Sequence, residues 1–144
     1  MQVIQYKEVT MNFKFTNDSP IYSQLTNHLK LYIVSGKLKP NEKLPSVREL
    51  AMQIKINPNT VQKSLEKLEL EGLIYTERTN GKYVTDNTKL IKKIKQEIAK
   101  EKIITYLNDM QSLGFTKKEA ITYLQNTKGE LYGFSKMYKS NQKI

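Results

Sequence analysis

Residues 56–74 read INPNTVQKSLEKLELEGLI, and they contain the amphipathic helix on which the interpretation of the chain depends. Val61, Leu65 and Leu68 recur at steps of three and four residues, which is the spacing of one buried helix face. Asn57 and the proline after it are typical of a helix start, because asparagine caps and proline fits the first helical position. The stretch therefore predicts a capped helix with one apolar side.

The start of this helix is more polar than capping requires. Asn59 and Thr60 follow the cap, and Gln62 and Lys63 lie further along. A helix that enters the DNA major groove contacts bases with residues of its first turns, and the free amides at its N-terminus attract phosphate. These features predict DNA contacts at Asn57, Asn59, Thr60, Gln62 and Lys63. The alternative is that Asn57 and Thr60 only cap the helix and that the other polar residues form a solvated face.

A second capped helix is predicted immediately before this stretch. Ser46 and Glu49 have the spacing of a capping box, and a turn over residues 55–57 separates the two helices. The first helix of a helix-turn-helix crosses the phosphate backbone, so Arg48 on its first turn is a further candidate contact with phosphate or base. The alternative is a surface ion pair of Arg48 with Glu49 or with a neighbouring residue.

An earlier helix and a hairpin flank these two helices. Ser19 is predicted to cap the earlier helix, with a proline at its first position and Gly36 at its end. Residues 73–77 and 82–85 are predicted strands, because turn-forming residues separate them. The order helix, helix, turn, helix, hairpin predicts a winged helix-turn-helix in a chain that is mainly α with a small β-hairpin.

The turn of this hairpin is the predicted tip of the wing. Glycine allows the backbone to approach a groove closely, and lysine supplies positive charge for phosphates. The candidate DNA contacts of the wing are Asn80, Gly81 and Lys82. The alternative is an ordinary hairpin turn that contains glycine.

A different pattern begins after Asp86. Residues 88–112 are predicted to form a long lysine-rich helix that ends at Gly114, and Thr116 with Glu119 forms the capping box of another helix. The apolar stripe of the long helix is too narrow for a fully buried helix. We therefore expect it to bind a second copy of the chain, through Leu90, Ile94, Ile98, Ile103 and Leu107.

Two other interpretations of the long helix are packing on the first helix of its own chain and binding to a membrane surface. Glu97 and Glu101 on its polar face disfavour the membrane, as does the lack of Trp and Phe in this helix. The dimer is the favoured interpretation, since two copies double the contacts that so small a protein makes with DNA.

Composition restricts the class of function. The 144 residues carry a formal net charge of +10, which favours an anionic partner, with nucleic acid first. The sequence has no cysteine, which excludes thiol catalysis and thiolate zinc sites and fits a reducing cytoplasm. Its single histidine, His28, is better suited to packing than to catalysis, and no signal peptide or membrane-spanning run is visible. We therefore expect a cytoplasmic protein that is not an enzyme and uses no metal or cofactor.

Four linked segments in residues 19–84 share one characteristic spacing: PIYSQ, GKLKPNEKLPSVRELA, NPNTVQK and LELEGLI. They resemble the DNA-binding domain of GntR-type bacterial transcription regulators. The short remainder, with SLGFTKKEAITYL, looks like the helical tail of the YtrA subfamily. In that subfamily the tail serves dimerisation, and the regulators often control neighbouring ABC-transporter genes.

The resemblance implies a dimeric repressor that contacts DNA through Arg48, Asn59, Thr60, Lys63 and Gly81. The family favours Gly-x-Gly at the tip of the wing, often with an extra arginine. This chain has Thr-Asn-Gly at residues 79–81, so its wing is less cationic. A second departure is Asn41, which stands where the family often has glycine. Because asparagine tolerates left-handed backbone angles, we expect both turns to form.

These inferences divide the chain into an N-terminal arm (1–18), a winged helix-turn-helix (19–86), a helical dimerisation region (87–127) and a C-terminal tail (128–144). In the tail we expect packing rather than a ligand site for Tyr132, Phe134 and Tyr138. The expected function is regulation of transcription by a homodimer that binds an inverted repeat in double-stranded DNA. The alternative is a non-specific or architectural nucleic-acid-binding winged-helix protein.

Overall fold

The computed structural model describes Met11 and residues 13–127. These residues form α1 (Ile21–Val34), α2 (Val47–Ile54), α3 (Pro58–Leu70), β1 (Ile74–Glu77), β2 (Gly81–Val84), α4 (Thr88–Ser112) and α5 (Lys117–Asn126). The architecture is the predicted winged helix-turn-helix followed by a helical region. Among the described residues, every helix is too short or too polar to cross a lipid bilayer. The chain divides into two compact units, the first ending at Glu97 and the second beginning at Ile98. The aromatic residues of the predicted tail, Tyr132, Phe134 and Tyr138, lie outside the described residues.

The predicted caps of α2 and α3 are confirmed. The Ser46 hydroxyl accepts a hydrogen bond from the Glu49 backbone N–H, and the Glu49 carboxylate accepts one from the Ser46 N–H. On α3, Oδ1 of Asn57 accepts from the Asn59 N–H at 2.8 Å. Lys55 ends α2 in the left-handed region, with φ 56°, and so reverses the chain within the predicted turn.

The predicted cap of α1 is wrong. The helix begins at Ile21, and Ser19 supplies no cap because Pro20, with ψ 139°, is the residue that precedes the first turn. The Gln24 side chain explains this difference, since its Nε2 donates to the Ser19 and Thr16 carbonyls at 2.8 and 2.9 Å. These bonds hold the bend over residues 17–19 that precedes the helix. The end of α1 is as predicted, with Gly36 in the left-handed region.

The core of the first unit forms where α1 and α2 pack on α3. Leu65 and Leu68 of α3 are fully buried, as their spacing predicts. Burial of one such side chain stabilises the fold by about 1.5–3 kcal/mol. The buried Thr26 hydroxyl donates to the Tyr22 carbonyl at 2.7 Å and accepts from the Ser64 hydroxyl at 3.0 Å, which links α1 to α3. This core therefore fixes the position of α3 and leaves its opposite face free.

The residues just before α1 pack against that helix. Met11 is buried in the core cluster. The Phe13 ring stacks on the His28 ring with 4.8 Å between centroids, and Phe15 meets the same ring edge-on at 5.8 Å. His28 Nε2 also lies 3.2 Å from the Lys14 carbonyl oxygen. The half-buried histidine thus serves packing.

The hairpin pairs β1 and β2 in antiparallel register, with Glu77 opposite Gly81. Gly81 has φ 110°, so the first residue of β2 needs the freedom of glycine. Beside β2, Lys43 forms an isolated bridge with Tyr83. Asn41 has φ 64°, which confirms that asparagine can occupy the turn where the family often has glycine.

Candidate nucleic-acid interface

The free face of α3 is polar. The buried residues Val61 and Leu65 lie on one side of the helix, so Asn59, Lys63 and Glu66 share the opposite side. All three of these are exposed, and Gln62 beside them is half-buried. The helix-turn-helix thus holds a row of hydrogen-bonding side chains on a rigid element.

Capping and surface display are combined at the first turn of α3. Asn57 uses its Oδ1 for the cap, and its Nδ2 donors are not part of that bond. Thr60 is half-buried, and its backbone N–H donates to the Asn57 carbonyl at 3.0 Å. Asn57 and Asn59 are therefore exposed to a ligand at this turn, whereas Thr60 is half-buried.

Lys63 has a partner that the sequence did not identify. Its Nζ lies 3.9 Å from the centroid of the Tyr22 ring on α1. A cation–π contact at such a site is worth about 0.5–1 kcal/mol and limits where the ammonium can go. Tyr22 belongs to the PIYSQ segment, but its helical spacing indicated only packing. It positions the charge of the free face of α3.

Gln62 is held by Glu66 on the next turn. The Nε2 of Gln62 donates to Oε1 of Glu66 at 3.0 Å, at the i, i+4 spacing that brings side chains together on a helix. A carboxylate therefore lies in the middle of the free face. Sequence analysis named Gln62 and missed Glu66, although the spacing is visible in the sequence.

Arg48 is exposed on the first turn of α2. The described residues contain two ion pairs, Lys30 with Glu71 and Lys82 with Glu69. The alternative of an Arg48–Glu49 pair is thus not formed there, because Glu49 is used in the capping box. The guanidinium remains available to an anion.

The wing lysine is already engaged within the protein. The Nζ of Lys82 lies 3.2 Å from Oε2 of Glu69 and 3.0 Å from the Thr76 hydroxyl oxygen. The hydrogen bond from Thr76, together with the bond and charge of Lys82, lowers the pKa of the Glu69 carboxyl below its ordinary value. Since an ammonium has three donors, one donor of Lys82 is left for another acceptor.

Two further cations lie near the tip of the wing. Arg78 is exposed in the turn that joins the strands, next to Asn80, whose Nδ2 donates weakly to Glu77 at 3.4 Å. Lys43 passes close to Gly81, since its Cε is 3.4 Å from the point where a Cβ on that glycine would lie. Arg78 could have been found from its place beside the turn. Lys43 could not, because the bridge to β2 brings it there.

The predicted dimerisation residues fall into two groups. Ile94 packs against the core of the first unit, and Leu90 lies 3.2 Å from the Cβ position of Gly72. In the second unit Ile103 is 57% exposed, whereas Ile98 and Leu107 are half-buried. The structure thus brings Ile94 to its own chain's core, places Leu90 beside Gly72 and leaves Ile103 at the surface.

The second unit exposes apolar residues around Ile103 that were not among the predicted dimerisation residues. The Tyr106 hydroxyl donates to the Ala120 carbonyl at 2.7 Å and joins α4 to α5, with Ala120 buried. Phe115 and Tyr123 are edge-on at 5.0 Å. Around this contact the large exposed apolar residues are Ile103, Ile104, Leu113, Ile121, Tyr123 and Leu124.

Three comparisons, with a family model, with the sequences of relatives and with solved structures, agree on one family of transcription regulators. A family model described as bacterial regulatory proteins, gntR family, matches residues 21–84. The uncharacterized HTH-type transcriptional regulator YhcF of Bacillus subtilis is 33% identical over 77% of this chain and 92% of its own length. The HTH-type transcriptional repressor YtrA of the same organism is 35% identical over 83% and 93%. A GntR family transcriptional regulator from Listeria monocytogenes superposes with a TM-score of 0.74 at 34% identity, over 79% of this chain and 100% of the other.

Proposed function

The chain belongs to the GntR family of bacterial regulatory proteins, and we propose that it is a homodimeric repressor that binds an inverted-repeat operator. Members of this family regulate transcription by binding DNA and are not enzymes, and the chain is YtrA-like in sequence. The proposal adds the sequence readout, the dimer and the sense of regulation. Its main support is the polar free face of α3, held in place by a fully buried opposite face.

We place the base contacts on α3. Asn59, Gln62 and Lys63 lie on its free face, and helices of this motif use such residues near their start to reach base edges. Asn57 and Thr60 lie at the N-terminal end, where free backbone amides attract a phosphate. Arg48 on α2 is exposed and suited to a phosphate on the same strand.

We assign the wing a role in phosphate contact. Gly81 lets the backbone come close to a groove, and Asn80 lies beside it in the turn. Lys82 keeps one donor for a phosphate, although Glu69 offsets most of its charge. Arg78 and Lys43 therefore supply the larger part of the positive charge at the tip.

We assign dimerisation to the second unit. Large apolar residues of α4 and α5 are exposed there, and covering apolar surface is the main favourable term in protein association. Ile103 and Leu107 keep their predicted role, with Ile98 at the edge of this surface. Leu90 and Ile94 act indirectly, because they anchor the start of α4 on the first unit.

The functional division of the chain follows from these assignments. Residues 19–86 bind DNA and residues 87–127 bind the second copy. For the arm over residues 1–18, Phe13 packs on α1 beside His28, which fits a supporting role. We propose neighbouring genes, such as ABC-transporter genes, as the targets, because the sequence resembles the YtrA subfamily.

The test is selection of bound duplexes from a random library, followed by sedimentation of the protein with and without the selected duplex. We expect one enriched inverted repeat, bound about a thousandfold or more tightly than random duplex, and a mass of two chains per duplex. Equal binding of all duplexes, with a steep salt dependence, would instead identify a non-specific architectural protein. Enrichment of a single half-site by a monomer would overturn the dimer.

A further inference from the structure

A negative charge lies where a DNA-binding helix is expected to be positive or neutral. Glu66 is exposed on the free face of α3, on the same side as Asn59 and Lys63. The ion pairs of the described residues are Lys30–Glu71 and Lys82–Glu69, so Glu66 forms no direct ion pair there. Lys63, one turn before it, lies over the Tyr22 ring instead. Near phosphates, an uncompensated carboxylate weakens binding to every duplex.

The partner of this carboxylate is the amide of Gln62. Its Nε2 donates to Oε1 of Glu66 at 3.0 Å, so one of the two N–H donors of this amide is committed within the protein. A free glutamine pairs with adenine through one donor and one acceptor. With Nε2 turned toward Glu66, the side chain of Gln62 presents its Oε1 as an acceptor. The second oxygen of Glu66 is a further acceptor beside it.

We propose that Glu66 is a specificity-determining residue, which positions the Gln62 amide so that the pair selects a cytosine in each half-site. The proposal rests on the proposed function, because it requires α3 in the major groove. Paired cytosine presents one free N4–H donor there, which an acceptor of this pair can receive. Guanine and thymine present acceptors that the pair repels, and adenine places its N7 acceptor beside its donor.

The same arrangement disfavours wrong sites. The carboxylate is repelled by phosphate wherever no amino group meets it, and this repulsion lowers the affinity for random DNA. The cost is offset only at the cognate base. Glu66 therefore increases the ratio of specific to non-specific binding, which determines whether so small a regulator finds its site.

The test compares Glu66→Gln with the unaltered protein in selection from a random library and in titration of the four bases at the affected position. Glu97→Gln is the matched control, since it removes the same charge from an exposed site on α4. We expect the unaltered protein and the control to prefer cytosine at one position of each half-site by about tenfold. In Glu66→Gln this preference falls to about twofold or less, while affinity for random duplex rises severalfold.

A double-mutant cycle with Gln62→Ala separates positioning from a structural effect. If Glu66 acts through Gln62, then Glu66→Gln changes the base preference little once Gln62 is replaced. Preferences at the other positions of the half-site should stay the same in all variants. An unchanged base profile in Glu66→Gln, with a clear operator, would overturn this inference and leave the proposed function intact. Absence of any preferred site in the unaltered protein would overturn both.

Discussion

The helices α3 and α5 begin in the same way and differ in the face that they leave exposed. Each starts at a side-chain cap, Asn57 on α3 and Thr116 on α5. On α3 a row of buried apolar residues faces the core and the free side is mainly polar. On α5 Ala120 is buried, whereas Ile121 and Leu124 are exposed. The start signal of a helix therefore says nothing about the partner that its free face takes.

The nature of the free face indicates the partner. A polar face can exchange water for phosphate oxygens and base edges, so it suits a hydrated polyanion. An exposed apolar face gains about 25 cal/mol for each Å² that a partner covers. In the proposed function, DNA is therefore the partner of the first unit and a second copy of the chain is the partner of the second. The following substitutions test whether this contrast holds.

The largest effect is expected on the covered face of α3. Leu65→Ala removes a fully buried side chain, and we expect the free energy of unfolding to fall by about 2–5 kcal/mol. Leu70→Ala is the control on the same helix, since Leu70 is 88% exposed and should change this free energy by about 0.5 kcal/mol or less. Chemical denaturation measures both. Similar losses for the two leucines would mean that the covered face of α3 is wrongly assigned.

The next effect concerns the free face of α5. Leu124 is 59% exposed, and we expect Leu124→Asp to weaken the dimer by about 2 kcal/mol because a charge is placed in an apolar interface. Sedimentation equilibrium should show a dissociation constant of the dimer that is roughly thirtyfold higher than in the unaltered protein. Met52, which is 74% exposed on α2, provides the control Met52→Asp. If Met52→Asp dissociates the dimer and Leu124→Asp does not, the interface lies in the first unit.

Much of this contrast was predictable from the sequence, because it is encoded locally. The buried positions of α3 follow from helical spacing, and the capping box at Thr116 marks the start of α5 without reference to other residues. The bounds of α4 also agree with the predicted residues 88–112. Its two ends differ in environment, however. Spacing alone gave one dimerisation stripe, whereas Ile94 packs on the core and Ile103 is exposed.

The features that sequence reasoning missed are contacts between residues that are distant along the chain. The Gln24 side chain binds the Ser19 carbonyl, and the Ser19 side chain does not cap α1 as its local sequence predicts. The ring under Lys63 comes from α1, and the partner of Lys82 comes from α3. Periodicity identifies the side of a helix that is covered. It does not identify which distant side chain meets a lysine.

Lys63 tests the polar side of the comparison. We expect Lys63→Ala to reduce the difference in binding free energy between operator and random duplex by about 1–2 kcal/mol, since a base contact is lost. Lys67→Ala is the matched control, because Lys67 is an exposed lysine one turn further along the same helix, beyond the first turns that reach base edges. Lys67→Ala should weaken binding to the operator and to random duplex equally, or leave both unchanged. Tyr22→Leu should give part of the Lys63→Ala effect, because the ring that positions the ammonium is removed. If Lys63→Ala lowers the affinity for operator and random duplex equally, this lysine contacts a phosphate rather than a base.

The smallest effect concerns the end of α3, where the helix is tied to the hairpin. Both ion pairs of the described residues lie in the first unit, and one of them joins Glu69 to Lys82. At neutral pH we expect Glu69→Gln to lower the free energy of unfolding by less than about 1 kcal/mol, since the carboxylate is partly exposed and screened.

The pH dependence distinguishes this ion pair from mere packing. Hydrogen bonding to Thr76 and the charge of Lys82 lower the pKa of Glu69 in the folded protein below its ordinary value of 4.5. The stabilisation is therefore present above 4.5 and is lost as the pH falls through the lowered folded value. Thermal unfolding of Glu69→Gln and the parent protein should converge over that interval, whereas Glu101→Gln, exposed on α4, should follow the parent throughout. If the two proteins still differ in thermal stability at low pH, Glu69 stabilises the hairpin by packing. The end of α3 would then resemble α5 in having no stabilising ion pair.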